Sequence, residues 1–351
     1  MKVLVIGPSP EKSKGGMATV IKDIRDDKQL NKQFDIEIYE SYIDGNKFER
    51  AVYMIIAFLN FKKIYSLYDL FHIHVASYGS AFRKAKYISF LKKRGKKVIL
   101  HIHGAAFMDF YNNLSDSKKD YIVDILNSCD LVIALSDEWK NKFKKHFKLR
   151  NCISLPNGIS TADFRCAVTE KGEHTNAFLL LGRIGKRKGA YDLVNAVEML
   201  APKYPDVKLY IAGDGEIEKI NDKIIKKKLQ RNIKVVGWVD FAGKIELLKK
   251  VATVVLPSYN EGLPMSILEG MAAGKAIISS SVGALPEVVK EENGIIIEPG
   301  NVNALVSAME ICMTNPMLIS DMSLANLQKI EESFSVQKMH KILAECYIQA
   351  G

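Results

Sequence analysis

The chain is poor in the features that would tie it to several large protein classes. Cysteine occurs only at 129, 152, 166, 312 and 346, an odd number, widely spaced and without a C-x-x-C pair. That argues against a disulfide framework and a cysteine zinc site, and it fits a reducing, cytoplasmic setting. No run approaches the ~20 apolar residues of a membrane-crossing helix. The opening MKVLVIGPSP is too short for a signal peptide and reads as a first strand. The first strand-to-helix turn, GPSPEKSKGG, lacks G-x-G-x-x-G, which speaks against a dinucleotide-dependent reductase. No helix-turn-helix, RRM or zinc pattern accompanies the net charge of +10, so a basic nucleic-acid-binding protein has no motif behind it. Internal repeats and low-complexity segments are missing as well.

What is present is an ordinary globular mixture, 48% apolar and 26% charged, in 351 residues, enough for two domains. The charge is one-sided: residues 1–165 hold 28 Lys/Arg against 18 Asp/Glu, and residues 166–351 hold 22 against 22. Such an excess in one half suggests that this half meets something anionic. Short β-branched runs recur, each followed by a helical pattern. They lie at 2–7, 35–40, 70–75, 97–103, 131–135 and 152–155, then at 177–182, 207–213, 233–236, 253–257, 276–280 and 294–298. Continuous apolar strands alternating with helices predict an α/β chain with two doubly wound parallel sheets, Rossmann-like, facing a central cleft. The polar stretch 160–176 is the expected linker, giving domains 1–165 and 166–333. Residues 334–351 read as an amphipathic helix.

The stretch EGLPMSILEGMAAGKAIISS, residues 261–280, places a carboxylate, a tight turn, a helix start and a second carboxylate together. Pro264 suits a first helical turn, leaving N–H groups around Gly262 and Leu263 free at a positive helix end. Such an end takes anions or hydroxyls. Glu261 is either a ligand or a helix cap, and Glu269 either grips a vicinal diol or is a solvated residue. Gly270, Ala272, Ala273 and Gly274 allow the helix to lie close on its sheet. The pairs His72/His74 and His101/His103 each share one strand face; a metal site and satisfied histidines at a crevice rim are the two readings, and the second is preferred.

The pattern E-G-x-P-x-x-x-x-E-G-M-A-A-G-K-A-I-I resembles the signature of the family 4 retaining glycosyltransferases, which have the GT-B fold. Further pieces recur in order: GGM at Gly15–Met17, HIHG at His101–Gly104, ALS at Ala134–Ser136, LPNGI at Leu155–Ile159, GRIGKRKG at Gly182–Gly189 and AGDGE at Ala212–Glu216. The resemblance implies transfer of a sugar from a nucleotide-diphosphate sugar, UDP in preference to GDP, with retention and without a metal or other cofactor. It implies that Arg183 and Lys188 neutralise the diphosphate, with Lys186 and Arg187 left as solvated neighbours. His103 hydrogen-bonds a donor hydroxyl, Glu261 with the amides of Gly262 and Leu263 holds the donor sugar, and Glu269 holds the ribose. Gly15 and Gly16 permit close backbone approach to the donor. The base lies near Gly213, Gly215 and Trp238. Met17 stands where many members carry an acidic residue. The C-terminal helix crosses back to the first domain.

Residues 48–69 are apolar and aromatic with basic flanks, and residues 81–97 hold eight Lys/Arg. An anionic membrane surface meeting residues 48–97 is the expected partner, with a saccharide or lipid-linked saccharide acceptor; the competing reading makes 51–61 an ordinary buried helix. Tyr78, Ser80 and Arg83 are candidates for the acceptor entrance. These features imply cell-surface polysaccharide synthesis (capsule, exopolysaccharide or lipopolysaccharide) at the inner membrane face. A nucleotide-sugar epimerase of the same fold is the alternative enzyme.

Overall fold

The structure is a computed structural model; it describes residues 1–13, 15–168 and 175–351. Residues 169–174 of the expected linker lie outside the described residues. The chain divides into unit 1, residues 1–158 with 336–351, and unit 2, residues 159–335. The break falls at Gly158/Ile159, ahead of the expected 165/166. The reason is that the polar segment after it already belongs to unit 2: Phe164 is buried and meets Phe241 edge-on at 5.5 Å between ring centroids.

Unit 1 contains strands β1 (Lys2–Pro8), β2 (Asp35–Tyr42), β3 (Leu70–Val75), β4 (Lys97–Ile102), β5 (Leu131–Ala134) and β6 (Cys152–Ser154). They form one parallel sheet in the order β2-β1-β3-β4-β5-β6. Its helices are α1 (Gly16–Asp26), α2 (Lys28–Gln33), α3 (Lys47–Ile64), α4 (Gly79–Lys92), α5 (Phe107–Asn112), α6 (Asp116–Ser128) and α7 (Asp137–Phe147). Unit 2 contains α8 (Thr161–Phe164), β7 (Ala177–Leu181), α9 (Ala190–Leu200), β8 (Lys208–Ala212), α10 (Ile217–Lys226) and β9 (Ile233–Gly237). It continues with α11 (Phe241–Lys249), β10 (Thr253–Leu256), α12 (Met265–Ala272), β11 (Ala276–Ser280), α13 (Leu285–Val288), β12 (Gly294–Ile297), α14 (Val302–Thr314) and α15 (Pro316–Lys329). Its sheet order is β12-β11-β10-β7-β8-β9, also parallel. The last helix, α16 (Val336–Ala350), belongs to unit 1.

The apolar runs explain both sheets. Every residue of β3, β7, β10 and β11 is buried, as strands covered on both faces must be. Burying each Val, Leu or Ile contributes about 1.5–3 kcal/mol. The helices follow their own stripes: Leu193, Val194, Ala196, Val197 and Leu200 are the buried side of α9. The two orders differ, however. Unit 2 reverses direction between β7 and β10, the Rossmann order, whereas unit 1 reverses between β1 and β3, the flavodoxin-like order. Both are doubly wound, as the sequence led one to expect. In either order, ligands are expected outside the strand carboxyl ends at the reversal.

Candidate active site

In unit 2 the reversal is flanked by the loops after β7 and β10, and these are the GRIGKRKG and EGLP segments. Gly182 leaves β7 with φ +138°, and its N–H bonds to the Ala212 carbonyl at 2.9 Å. The AGDGE loop lies directly against it. A Cβ on Gly213 would stand 1.9 Å from the Gly182 carbonyl oxygen, and one on Gly215 would stand 2.3 Å from that of Ile184. Gly213 and Gly215 therefore have a structural reason of their own, since they let two backbone loops touch. Trp238, 54% exposed, follows β9 nearby.

Lys188 closes the short turn Lys186–Lys188 and is buried. Its Nζ lies 2.7 Å from Glu261 Oε1. Burial lowers the Lys188 pKa, against the opposing pull of Glu261. Arg187 Nη1 reaches the same oxygen at 3.3 Å and donates to the Asn260 carbonyl at 2.9 Å. Arg187 is exposed, as expected of a solvated neighbour, its side chain 53% open to solvent, yet one end of it also reaches the carboxylate. Arg183 stands apart, its side chain 73% exposed, with Nη1 3.7 Å from Asp214 Oδ2. The structure thus joins Lys188, Glu261 and Arg187 and leaves Arg183 on the open side of the AGDGE loop.

Neither glutamate follows its bland reading. Glu261 is 6% exposed and makes no cap to α12. Glu269 is also 6% exposed, with Lys244 of α11 on its Oε1 at 2.5 Å. Pro264 is the cap residue of α12 rather than its first helical residue, and no side chain satisfies that helix end. Residues 261–265, including Gly262 and Leu263, are buried. Gly270 sits against Val254 of β10, where a Cβ would come within 2.9 Å of Val254 Cγ2, as the small-residue run implied.

In unit 1 the reversal lies between β1 and β3. Gly15, with φ +118°, and Gly16 open α1, whose start has no side-chain cap. On the neighbouring strands four imidazoles form a grid, because parallel register sets His74 opposite His101 and the two-residue period adds His72 and His103. His72 Nε2 faces His101 Nδ1 at 3.3 Å, and His74 Nδ1 faces His103 Nε2 at 2.8 Å. Tyr347 of α16 bonds His72 Nδ1 at 2.9 Å. His72, His74 and His101 are at most 1% exposed, and His103, just past β4, is half-buried. The expected crevice rim is therefore corrected to an interior position, since β3 and β4 are central strands. Burial holds His72 and His103 down to a pKa of about 3, and His74 and His101 well below the ordinary value. One nitrogen from each of His72, His74 and His101 lies within 4.8 Å of the others. That spacing would admit a metal ion, but His72 already engages both ring nitrogens, with Tyr347 and His101, which favours the reading of satisfied histidines.

Sequence reasoning missed Lys84, which it counted in a basic face. It is 2% exposed; its Nζ donates to Ser41 Oγ, which donates to the Gly7 carbonyl at 2.8 Å. Burial lowers its pKa well below the usual lysine value. The spacing held the clue: Ala81, Lys84, Ala85 and Ile88 fall on one helical stripe. The rest of 81–97 is also less free than expected, since Lys92 and Lys97 pair with Asp130 at 2.6 and 3.5 Å. Arg83 lies over the Tyr42 ring at 5.0 Å, Ser80 Oγ accepts from Ala76 N, and Tyr78 is exposed with φ +56°. By contrast, α3 turns an apolar row outward: Phe48 is 78% exposed, Ile55 63% and Leu59 53%, with Val52 and Ile56 between them. It is not an ordinary buried helix.

With this geometry in place, likenesses to known proteins can be weighed. Residues 164–329 match the family model described as glycosyl transferases group 1, and residues 19–163 match the one described as glycosyltransferase family 4. An uncharacterized glycosyltransferase of Haemophilus influenzae is 28% identical over 219 residues, 61% of this chain and 60% of that protein. A glycogen synthase of Mycobacterium tuberculosis is 28% identical over 230 residues, 64% of this chain and 56% of that one. The chain thus spans less than two thirds of these relatives. The Escherichia coli UDP-Gal:alpha-D-GlcNAc-diphosphoundecaprenol alpha-1,3-galactosyltransferase is 25% identical over 302 residues, 80% of this chain and 75% of its own. Among solved structures, sucrose-phosphate synthase from Thermosynechococcus elongatus superposes with TM-score 0.79 at 18% identity, covering 99% of this chain and 98% of the other. Anabaena HepE in complex with UDP does so with TM-score 0.77 at 18% identity, covering 99% of each. The fold is GT-B. The chain belongs to the glycosyltransferases of the family 4 type, its second unit being a group 1 domain.

Proposed function

We propose that the protein moves a sugar from a nucleotide-diphosphate sugar, UDP in preference to GDP, onto a saccharide or lipid-linked saccharide, with retention and without a metal. The observation that carries this reading is the buried Lys188–Glu261 pair, with Arg187 on the same carboxylate, at the strand reversal of unit 2. A diphosphate carries about two negative charges as it leaves, and fixed cations in a water-poor site stabilise that charge most effectively. Lys188 is such a cation, positioned by its carboxylate. Arg183, unburied and fork-shaped, is free to close on the phosphates. Glu261 is then left to accept from sugar hydroxyls, and Glu269 from a ribose diol, in place of their lysine partners. The uncapped start of α12 adds its positive end.

Retention is assigned to substitution on one face of the sugar. The bond from the anomeric carbon to the phosphate oxygen breaks, the acceptor oxygen bonds to the same face, and its proton passes to the departing phosphate oxygen. His103 is assigned a hydrogen bond to a hydroxyl of the donor sugar. The relatives and neighbours support this choice of donor and acceptor, since the E. coli enzyme is named for a UDP-sugar and a lipid diphosphate, and HepE was crystallised with UDP.

The membrane contact first assigned to residues 48–97 narrows to α3. Its outward row of Phe48, Val52, Ile55, Ile56 and Leu59 lies beside exposed Lys47, Lys62 and Lys63, a combination that suits an anionic lipid surface. No single helix among the described residues is long and apolar enough to cross a membrane. Surface-polysaccharide synthesis at the cytoplasmic face is the setting that fits this contact.

Thermal unfolding with UDP, GDP and ADP at millimolar concentration is the test. A diphosphate present at 100 times its Kd should stabilise the protein by about 2.7 kcal/mol, with UDP giving the largest shift. No shift with any of the three would remove the donor assignment. Release of an epimer or of free sugar alone, without a glycosylated acceptor, would point to the epimerase instead.

A further inference from the structure

The histidine grid contains more order than the donor role of His103 requires. A neutral imidazole has one N–H and one bare nitrogen, and the partner of either decides which is which. His103 Nε2 and His74 Nδ1 are 2.8 Å apart, so one of them donates to the other. His74 is fully buried and its Nε2 has no hydrogen-bond partner. Two arrangements satisfy the pair. If His103 donates, the proton of His74 must sit on Nε2, leaving a buried N–H with nothing to bond. If His74 donates, only a bare nitrogen is left over. Orphaned buried N–H groups are rarer in proteins than under-satisfied acceptors, so the second arrangement is favoured. The ring of His74 is also clamped: its centroid lies 4.3 Å from that of His72, 5.1 Å from His101 and 5.0 Å from His103. It has little room to turn and offer its other nitrogen.

We propose that His74 is a positioning residue whose Nδ1–H donates to His103 Nε2 and fixes His103 as the Nδ1–H tautomer. This rests on the reading of His103 given above. His103 then always offers a donor to the substrate. The hydroxyl it meets must accept there and send its own proton elsewhere. A substrate with an ether or fluorine at that position keeps the contact, and one lacking any acceptor loses it. Specificity at one hydroxyl is thus set by a residue that does not touch the substrate.

The test uses the full-length protein labelled with 15N-histidine. Two-bond proton–nitrogen correlation distinguishes a protonated from a bare ring nitrogen at each histidine. In the wild type, His103 should show one tautomer with its proton on Nδ1. His74→Leu should give a mixture, and His74→Asn, which returns an amide N–H near the place of Nδ1, should restore the single form. In transfer assays His74→Leu should lower kcat on the order of tenfold with nucleotide-diphosphate affinity unchanged, and His74→Asn should recover most of it. A wild-type His103 protonated on Nε2 overturns the proposal, and so does an unchanged tautomer in folded His74→Leu. If His74→Leu does not fold, the wild-type spectrum and the Asn variant decide the matter. A correct tautomer together with unchanged turnover in His74→Leu and in a His103 variant would instead refute the catalytic role of His103.

Discussion

Units 1 and 2 carry the same number of parallel strands but differ in what surrounds the titratable groups at their strand reversals. Unit 2 sets lysines against buried carboxylates, the buried Lys188 on Glu261 and the partly exposed Lys244 on Glu269. Unit 1 buries His72, His74 and His101 beside a half-buried His103 and gives Lys84 a hydroxyl, Ser41, in place of a carboxylate, while its His340 does meet one, Asp27. Buried charge that has a counter-ion survives and can be exchanged for the charge of a ligand; buried titratable groups without one are driven neutral. Unit 2 is thus prepared to receive an anion, and unit 1 is prepared to offer neutral hydrogen-bonding surfaces.

The largest effect expected from this contrast is acid instability confined to unit 1. Each histidine whose folded pKa lies below its unfolded value of about 6.5 loses stability as pH falls below 6.5, by about 1.4 kcal/mol per unit, until the folded pKa is reached. With His72 and His103 lowered to about 3, those two alone should remove about 4 kcal/mol by pH 5. His74, His101 and His340 act in the same direction. Hydrogen exchange should show Leu70–Val75 and Lys97–Ile102 losing protection between pH 7 and 5 while Ala177–Leu181 does not. Equal loss in both units, or none, would erase the contrast.

The next effect separates two cations within unit 2. Lys188→Ala removes a buried charge and unpairs Glu261, which should cost on the order of 3 kcal/mol of stability and about 10²–10³ in transfer. Arg183→Ala alters an exposed side chain, so stability should move by no more than about 0.5 kcal/mol while transfer still falls. Denaturant midpoints measured beside initial rates would check both; wild-type turnover in Lys188→Ala would contradict its assignment. The smallest effect belongs to the surface of unit 1. Ile55→Glu with Leu59→Glu should leave the melting temperature in place and weaken sedimentation with anionic vesicles roughly tenfold, a change of about 1.4 kcal/mol. Binding to neutral vesicles that equals binding to anionic ones would deny the lysines a part.

Much of this was legible in the chain itself. The twelve strands among the described residues lie at the expected runs, most clearly β3, β7, β10 and β11, which are covered on both faces, whereas the edge strand β2 alternates. Glu261 and Glu269 stood out by type and spacing. What escaped depended on placement in three dimensions. Arg187 is exposed as its sequence suggests, but nothing local shows that it also reaches a carboxylate seventy-four residues away. Strand order escaped for the same reason, since adjacency of β1 to β3, or of β7 to β10, is a tertiary fact. Lys84 was hidden by its charge, although its stripe of Ala81, Ala85 and Ile88 was in plain view. The four histidines were visible as two H-x-H pairs, but only the register of β3 on β4 turns two pairs into a grid.

The return of α16 to unit 1 bears on how the chain is made. Tyr347 meets His72 and the edge of Phe34, His340 meets Asp27 at 2.7 Å, and Met339 Sδ accepts from the Gly158 amide. None of these partners can be covered until the ribosome has passed through all of unit 2. At about 5–20 residues per second, roughly 190 residues beyond Gly158 take on the order of ten to forty seconds. During that interval the first half to emerge waits, unsealed, for a helix still being translated, while the second half can finish folding before it.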